Sequence, residues 1–370
     1  MSLDRKKVIF IATLPPPVTG ESLVNKLLFE DISTLAEVYS INGNLGDRAI
    51  KPGSISFLKI FSSLFWMFSS STNILFRNFD AAYIVSGQTR MGIFRFLPLI
   101  WLCKLKCSNV VVHFHGSLAA ETVSSLPWMI KKIIEKVFST VKVVVLADLL
   151  KESHSAFFRN ITVVNNFVPV DSYTGVVARI DRVNEGAEVN CLFMSNLLPE
   201  KGIVETVSSI CKLLNHHYQI NLTICGGGSD AAISSLRELI KKESRINYVG
   251  VVEGEEKYEI LARSHIFILP TYYPIEGMPI SLLEAARFEN IVISTNQGAI
   301  SEFVENGITG YICEKKSVDS LFLCIKKIIE NSKQQSSMLD SAKKKVDGNY
   351  EQSTFLKKMR RLILNESNPT

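Results

Sequence analysis

Two carboxylates eight positions apart, Glu276 and Glu284, bracket a Gly-Met-Pro-Ile-Ser run in the stretch LPTYYPIEGMPISLLEAARF (269–288). The apolar residues Ile266 to Leu269 predict a strand that runs into a Pro/Tyr loop, and the loop into a helix. Gly277 lets backbone approach a ligand closely, and Pro279 suits the first helical position, where its missing N–H costs nothing. At about 1.5 Å of rise per residue the carboxylates lie up to roughly 12 Å apart, about the length of a sugar–diphosphate–ribose unit. The N–H groups of Met278, Ile280 and Ser281 would face a diphosphate between them, favoured by the helix dipole. One carboxylate would hold hexose hydroxyls and the other a ribose diol. On the pair alone the plainer reading leads, a solvated loop charge and a helix-face or capping charge, so the other motifs decide.

Strand alternation in NVVVHFHGS (109–117) places His113 and His115 on one face, with His115 at the mouth before Gly116 and Ser117. A single histidine is more often structural, and His113 reads as core. The loop PPPVTGES (15–22) sets Thr19 and Gly20 at the carboxyl end of a first strand, where open α/β sheets bind ligands, with Ser22 as the expected N-cap. A structural turn is the other reading of that loop. Lys201-Gly202, just before a helix, offers a point charge and helix N–H groups to a phosphate, with Asn196 at the end of the preceding strand. Gly226, Gly228 and Ala231 spell G-x-G-x-x-A, but the acid expected about 20 residues later is missing, so a dinucleotide site ranks low.

A chain of 370 residues is too long for one core and predicts two α/β domains. Buried parallel strands are expected at 7–13, 38–41, 81–87, 109–117, 141–147 and 161–169, then again from 190–196 onward. Residues 170–188 lose periodicity and read as the connection. The net charge of +5 is too weak to argue for nucleic acid. Seven scattered cysteines without a Cys-x2-Cys pair read as reduced core thiols of a cytosolic protein. The N-terminal apolar run is too short for a signal peptide, and no apolar run is long enough to span a bilayer. FLKIFSSLFWMF (57–68) and MGIFRFLPLIWLC (91–103) read either as an interfacial surface dipping into an anionic bilayer or as helices buried on a sheet. WMIKKIIEKVFST (128–140) is a basic amphipathic helix, and a second one spans 350–364.

The Glu-x7-Glu stretch with E-G-M-P inside resembles the donor site of retaining family-4 glycosyltransferases of the GT-B fold. So do the P-P-P-x-T-G loop, the H-G-S strand ending, the Lys-Gly pair, the V-G…I-L-P-T rhythm of 249–271 and the G-A-x-x-E-x-V-x-x-G-x-x-G run after 297, in that order along the chain. The resemblance implies an α/β protein of two Rossmann-like doubly wound domains facing across a cleft: 1–168 on the acceptor side, 169–349 binding a nucleotide sugar, and the helix within 350–370 crossing back to the first. It implies transfer of a hexosyl unit, with retention, from a nucleotide sugar, UDP-linked rather than GDP-linked. Glu276 would hold the hexose, Glu284 the ribose, and Lys201 with the 278–281 amides the diphosphate. His115 would contact the hexose near the reacting carbon, and Thr19, Gly20 and Gly116 would line the donor and acceptor loops. Residues 250–252 would lie near the base, and Asn166 would hold the hinge turn. Where the family has Gly-Arg-Leu, this chain has Ser195-Asn196-Leu197, so Asn196 would replace a salt bridge by a hydrogen bond. No Asp-x-Asp occurs, and no metal or other cofactor is expected. The greasy segments point to a lipid-linked saccharide acceptor at the anionic inner membrane face, as in O-antigen or capsule assembly. A sugar-nucleotide epimerase of the same architecture and a non-catalytic nucleotide-sugar-binding protein are the alternatives.

Overall fold

The structure, a computed structural model, describes residues 5–43, 57–169, 188–331 and 335–366, so the connection read at 170–188 lies outside the described residues except for Glu188. The chain divides into two compact units, Met1–Asn165 with Ser353–Thr370, and Asn166–Gln352.

In the first unit the strands are β1 (Lys7–Ala12), β2 (Glu37–Asn42), β3 (Ala81–Val85), β4 (Asn109–Phe114), β5 (Lys142–Val145) and β6 (Asn160–Val163), and the helices among them are α1 (Gly20–Leu35), α2 (Phe57–Leu75), α3 (Arg90–Lys106), α4 (Ala119–Ser124), α5 (Trp128–Phe138) and α6 (Asp148–His154). The strands form one parallel sheet in the order β2-β1-β3-β4-β5-β6. Val8 to Ile11 in β1 and Val110 to Val112 in β4 are buried, because helices cover both faces of a parallel sheet and leave no solvated side. Helix α1 starts one turn earlier than Ser22 implied. Thr19 is the N-cap, its hydroxyl accepts from the Ser22 amide, and the Ser22 hydroxyl accepts from the Thr19 amide.

Helices α2, α3 and α5 pack side by side in sequence order. Ile93, Phe96, Leu99 and Ile100 of α3 are buried, while Phe65 and Phe68 of α2, Trp101 and Leu105 of α3, and Trp128 and Met129 of α5 are exposed. Helix α3 is thus buried along one face and exposed along the other, whereas none of the described side chains within 57–68 is fully buried. Lys104 joins α3 to α5 by donating to the Lys136 carbonyl at 2.9 Å and the Ser139 hydroxyl at 3.0 Å.

The second unit repeats the design with β7 (Val189–Met194), β8 (Ile220–Cys225), β9 (Ile246–Gly250), β10 (Ile266–Leu269), β11 (Ile291–Ser294) and β12 (Tyr311–Ile312). Its helices are α7 (Ile203–Asn215), α8 (Asp230–Ile240), α9 (Gly254–Ala262), α10 (Ile280–Arg287), α11 (Ile300–Phe303), α12 (Val318–Glu330) and α13 (Gln335–Asn349). The sheet order is β12-β11-β10-β7-β8-β9, all parallel, so the order reverses between β7 and β10.

The last helix, α14 (Gln352–Leu364), returns to the first unit. The Asn109 side-chain amide donates to the Leu362 and Ile363 carbonyls at 2.8 and 2.7 Å, which supplies partners to carbonyls that a helix end leaves open. Arg360 makes a two-pronged ion pair with Asp31 of α1, and Phe355 is buried beside the His113 ring. Phe355→Ala should therefore destabilise the first unit by about 3–5 kcal/mol, and Asn109→Ala by about 1–3 kcal/mol, read from the urea midpoint. Equal midpoints in wild type and Phe355→Ala would show that α14 is not part of that unit's core.

Candidate functional site

In an open doubly wound sheet, ligands bind outside the carboxyl ends of the strands where the strand order reverses. In the second unit that point lies between β7 and β10, and the loops following these two strands bring Lys201 to Glu276. After β7 the chain passes through a 3-10 turn, Pro199–Lys201, to Gly202, whose φ of 81° is left-handed. A Cβ on Gly202 would lie 2.5 Å from the Pro270 carbonyl oxygen of the other loop, so glycine is required for the two backbones to touch. The Tyr272 amide donates to the Glu200 carbonyl at 2.7 Å and completes the join.

Across this junction the Lys201 ammonium lies 2.7 Å from Glu276 Oε2, with side-chain exposures of only 13% and 8%. The Thr271 hydroxyl donates to the same oxygen at 2.8 Å. Among the described residues both bonds fall on Oε2, which leaves Oε1 as an acceptor. An ammonium has three donors, so Lys201 can keep Glu276 and still reach an anion. The Glu276 loop is also held from behind. Gly298 has φ 59°, and a Cβ there would lie 2.2 Å from the Glu276 carbonyl oxygen, while the Ala299 amide donates to the Gly277 carbonyl at 3.0 Å. Asn166 donates its side-chain amide to the Met278 carbonyl at 2.8 Å, so it anchors the E-G-M-P turn.

Pro279 is the N-cap of α10 and not its first residue, with ψ 127°. Glu284 therefore sits one turn into an eight-residue helix, and the helical rise does not apply across 276–279. The amides of Ile280 and Ser281 belong to the first turn, whose N–H groups have no partner within the helix. Gly277 and Met278 are buried just before it. Glu284 is buried and bonded to Lys257 of α9, Nζ to Oε1 at 2.7 Å. Burial pushes the Glu284 carboxyl above its ordinary value, and Lys257 pulls it part of the way back.

Asn196 is exposed beyond β7, and its carbonyl accepts from the Leu198 amide. The glycines after β8 have a packing reason. A Cβ on Gly226 would lie 1.8 Å from the Ser195 carbonyl oxygen, and one on Gly228 would lie 2.9 Å from Leu197 Cβ. The G-x-G-x-x-A pattern thus fits the loop against 195–197.

In the first unit, Thr19 and Gly20 open α1, with the Thr19 hydroxyl engaged in the capping box. His115 and Gly116 follow β4. The His113 ring takes a hydrogen bond with the Tyr83 hydroxyl through Nδ1 at 2.8 Å and lies 3.9 Å from the His115 ring. Burial, then the neighbouring His115, push His113 well below its ordinary value. Burial lowers His115 too, against an opposing pull from Glu21. Both imidazoles are therefore neutral at neutral pH, and each Nε2 is buried without a partner among the described residues. A neutral imidazole can exchange a hydrogen bond with a sugar hydroxyl without adding charge.

Thr271, Lys257 and Gly298 escape the sequence reading. Thr271 had a local signal, a hydroxyl at the end of the strand that feeds the motif. Gly298 stood in the Gly-Ala run with no sign of its contact with the Glu276 backbone, and Lys257 had no signal, since its partner lies in another element.

Residues 181–345 match the model of the family Glycosyl transferases group 1. The glycogen synthase of Mycobacterium tuberculosis is 23% identical over 242 residues, which cover 65% of this chain and 56% of that protein. The N,N'-diacetylbacillosaminyl-diphospho-undecaprenol alpha-1,3-N-acetylgalactosaminyltransferase of Campylobacter jejuni is 26% identical over 235 residues, 58% of this chain and 60% of that protein. The chain thus spans little more than half the length of the curated relatives it matches. A glycosyltransferase from Rickettsia africae superposes with a TM-score of 0.70 at 18% identity, covering 98% of this chain and 100% of that one. Anabaena HepE in complex with UDP and glucose gives 0.67 at 14%, covering 96% and 98%. The fold is that of the GT-B glycosyltransferases, and the second unit contains the stretch that matches Glycosyl transferases group 1.

Proposed function

We propose that the protein is a retaining glycosyltransferase that moves a hexosyl unit from a UDP-sugar to a saccharide acceptor. The observation that carries the reading is the pair of buried glutamates, each bonded to a lysine at 2.7 Å, on either side of the α10 N-terminus. Glu284 accepts from the ribose diol, and Glu276 Oε1 from hexose hydroxyls. Lys201 and the first amides of α10 take the diphosphate. As the bond from the anomeric carbon to the diphosphate oxygen breaks, the acceptor hydroxyl bonds to that carbon and its proton passes to the leaving diphosphate. The leaving charge is met by a fixed ammonium and fixed dipoles, so no metal is required of the step. His115, in the first unit, is assigned to the donor hexose by the family resemblance. The UDP preference is supported by the UDP bound in HepE.

The acceptor is proposed to be lipid-linked, in O-antigen or capsule assembly. The Campylobacter relative, named for a diphospho-undecaprenol substrate, supports this, as do the exposed Phe65 and Phe68 of α2, Trp101 of α3, and Trp128 and Met129 of α5, a helix that also carries Lys131, Lys132 and Lys136. Aromatic side chains seated at headgroup depth with lysines above them suit the face of an anionic bilayer. The association is proposed as peripheral, and among the described residues no helix is long and apolar enough to cross a membrane.

Two measurements test these readings. Calorimetry in EDTA should show UDP binding in wild type, weakened by about 1–3 kcal/mol in Glu284→Ala. Silence toward both UDP and GDP would overturn the donor site, and a new sugar nucleotide formed without acceptor would favour an epimerase. Sedimentation with anionic liposomes should carry the wild-type protein down, and Phe65→Ser with Phe68→Ser should leave more of it in solution. Equal partition of both, with or without anionic lipid, would end the membrane reading.

A further inference from the structure

Glu284 is held by a residue that neither the reaction nor the motif accounts for. Lys257 sits in the first turn of α9 and bonds Oε1, with side-chain exposures of 16% for the lysine and 4% for the glutamate. The next residue, Tyr258, stacks on Phe288 at the C-cap of α10 with 5.7 Å between ring centroids and 5° between planes. The stack fixes α9 against α10, and the Lys257 ammonium lies 4.7 Å from the Tyr258 ring centroid. The lysine is thus locked in place from both ends.

We propose that Lys257 is the positioning residue that keeps Glu284 a carboxylate aimed at the donor ribose, so that it sets the pH range over which the nucleotide binds. The proposal rests on the assignment of Glu284 to ribose. A carboxylate removed from water without a partner takes up a proton instead. Burial raises the Glu284 carboxyl, and Lys257 is the charge that opposes this. Burial also works against the Lys257 ammonium, but Glu284 and Tyr258 more than offset it.

Among the described residues the other elements packed on α10 bring no further charge to bear on Glu284. Strands β10 and β11 are IFIL and IVIS, without a charge. Helix α13 carries Asp340, Lys343, Lys344, Lys345 and Asp347. Of these, Lys343 pairs with Glu289, Lys345 with Glu305 and Asp347 with Arg287. With Oε1 taken by Lys257, Oε2 remains to accept from the diol, and an ionised acceptor makes that bond about twice as strong as a neutral one.

The sign follows. The carboxylate is the form that binds, and loss of the Lys257 charge, which opposes the effect of burial, lifts its pKa further. Between about pH 8.5 and about pH 6, UDP affinity in Lys257→Met should therefore fall about tenfold more than it does in wild type. Lys257→Arg should follow wild type. Glu284→Gln should be weak at both pH values, and 2′,3′-dideoxy-UDP should show one and the same pH dependence, that of its own terminal phosphate, with wild type and Lys257→Met. Calorimetry reads all of these. A Lys257→Met slope equal to that of wild type beside a weakened Glu284→Gln overturns the role of Lys257 and leaves the ribose assignment standing. Glu284→Gln binding UDP like wild type overturns both. The double variant Lys257→Met/Glu284→Gln buries no unpaired charge, which guards against misfolding of the single variant. It should bind as Glu284→Gln does, and a further loss would show that Lys257 acts by another route.

Discussion

Taking a lysine and a glutamate out of water costs more than their attraction returns unless every remaining donor and acceptor is served, and the buried pair Lys201–Glu276 imposes that condition on the second unit. Thr271 gives the carboxylate a second donor, and the turn at Gly202 brings the two loops into backbone contact. Gly298 and Ala299 support the carboxylate's own backbone. Such a pair is poor evidence of stabilisation and better evidence of a site held ready. The reversal of strand order between β7 and β10 is what makes it possible, since it opens a crevice between the loops that follow these two neighbouring strands.

The first unit meets a related constraint with neutral groups. His113 and His115 are packed ring against ring, a contact that two imidazolium ions could not sustain, and burial keeps both uncharged. The Tyr83 hydroxyl fixes the His113 ring from one side and Phe355 covers it from another. The mouth of β4 therefore offers a polar but uncharged contact, whereas the second unit offers charge.

Much of this was legible in the sequence because it is local. The β-branched runs of β1, β4, β5 and β11 announce buried parallel strands, and Glu276 and Glu284 stand out by their spacing about a Gly-Met-Pro turn. The helix starts were less legible: Ser22 reads as the cap of α1, but Thr19 holds that place and Ser22 closes the capping box from within the first turn. Lys257 was invisible because its partner lies 27 positions away and only the folded contact of α9 with α10 joins them. Gly298 was legible as a turn but not as the support of Glu276, since a steric requirement across two loops leaves no periodic trace. The amphipathic faces of α2 and α3 were ambiguous for a related reason. Apolar density says that a surface is buried without saying by what.

The return of α14 has a consequence for the order in which the protein can be finished on the ribosome. Asp31 and Asn109 are among the earlier residues made, yet the partners they bond, Arg360 and the carbonyls of Leu362 and Ile363, are made after the whole second unit. The nascent first unit must therefore wait with an open seam along its sheet while a complete second sheet emerges behind it. Domains that fold as units usually close in the order they are synthesised. Here the unit begun first is closed last, and a truncated product lacking α14 would expose the seat of Phe355 to whatever chaperone or neighbour reached it.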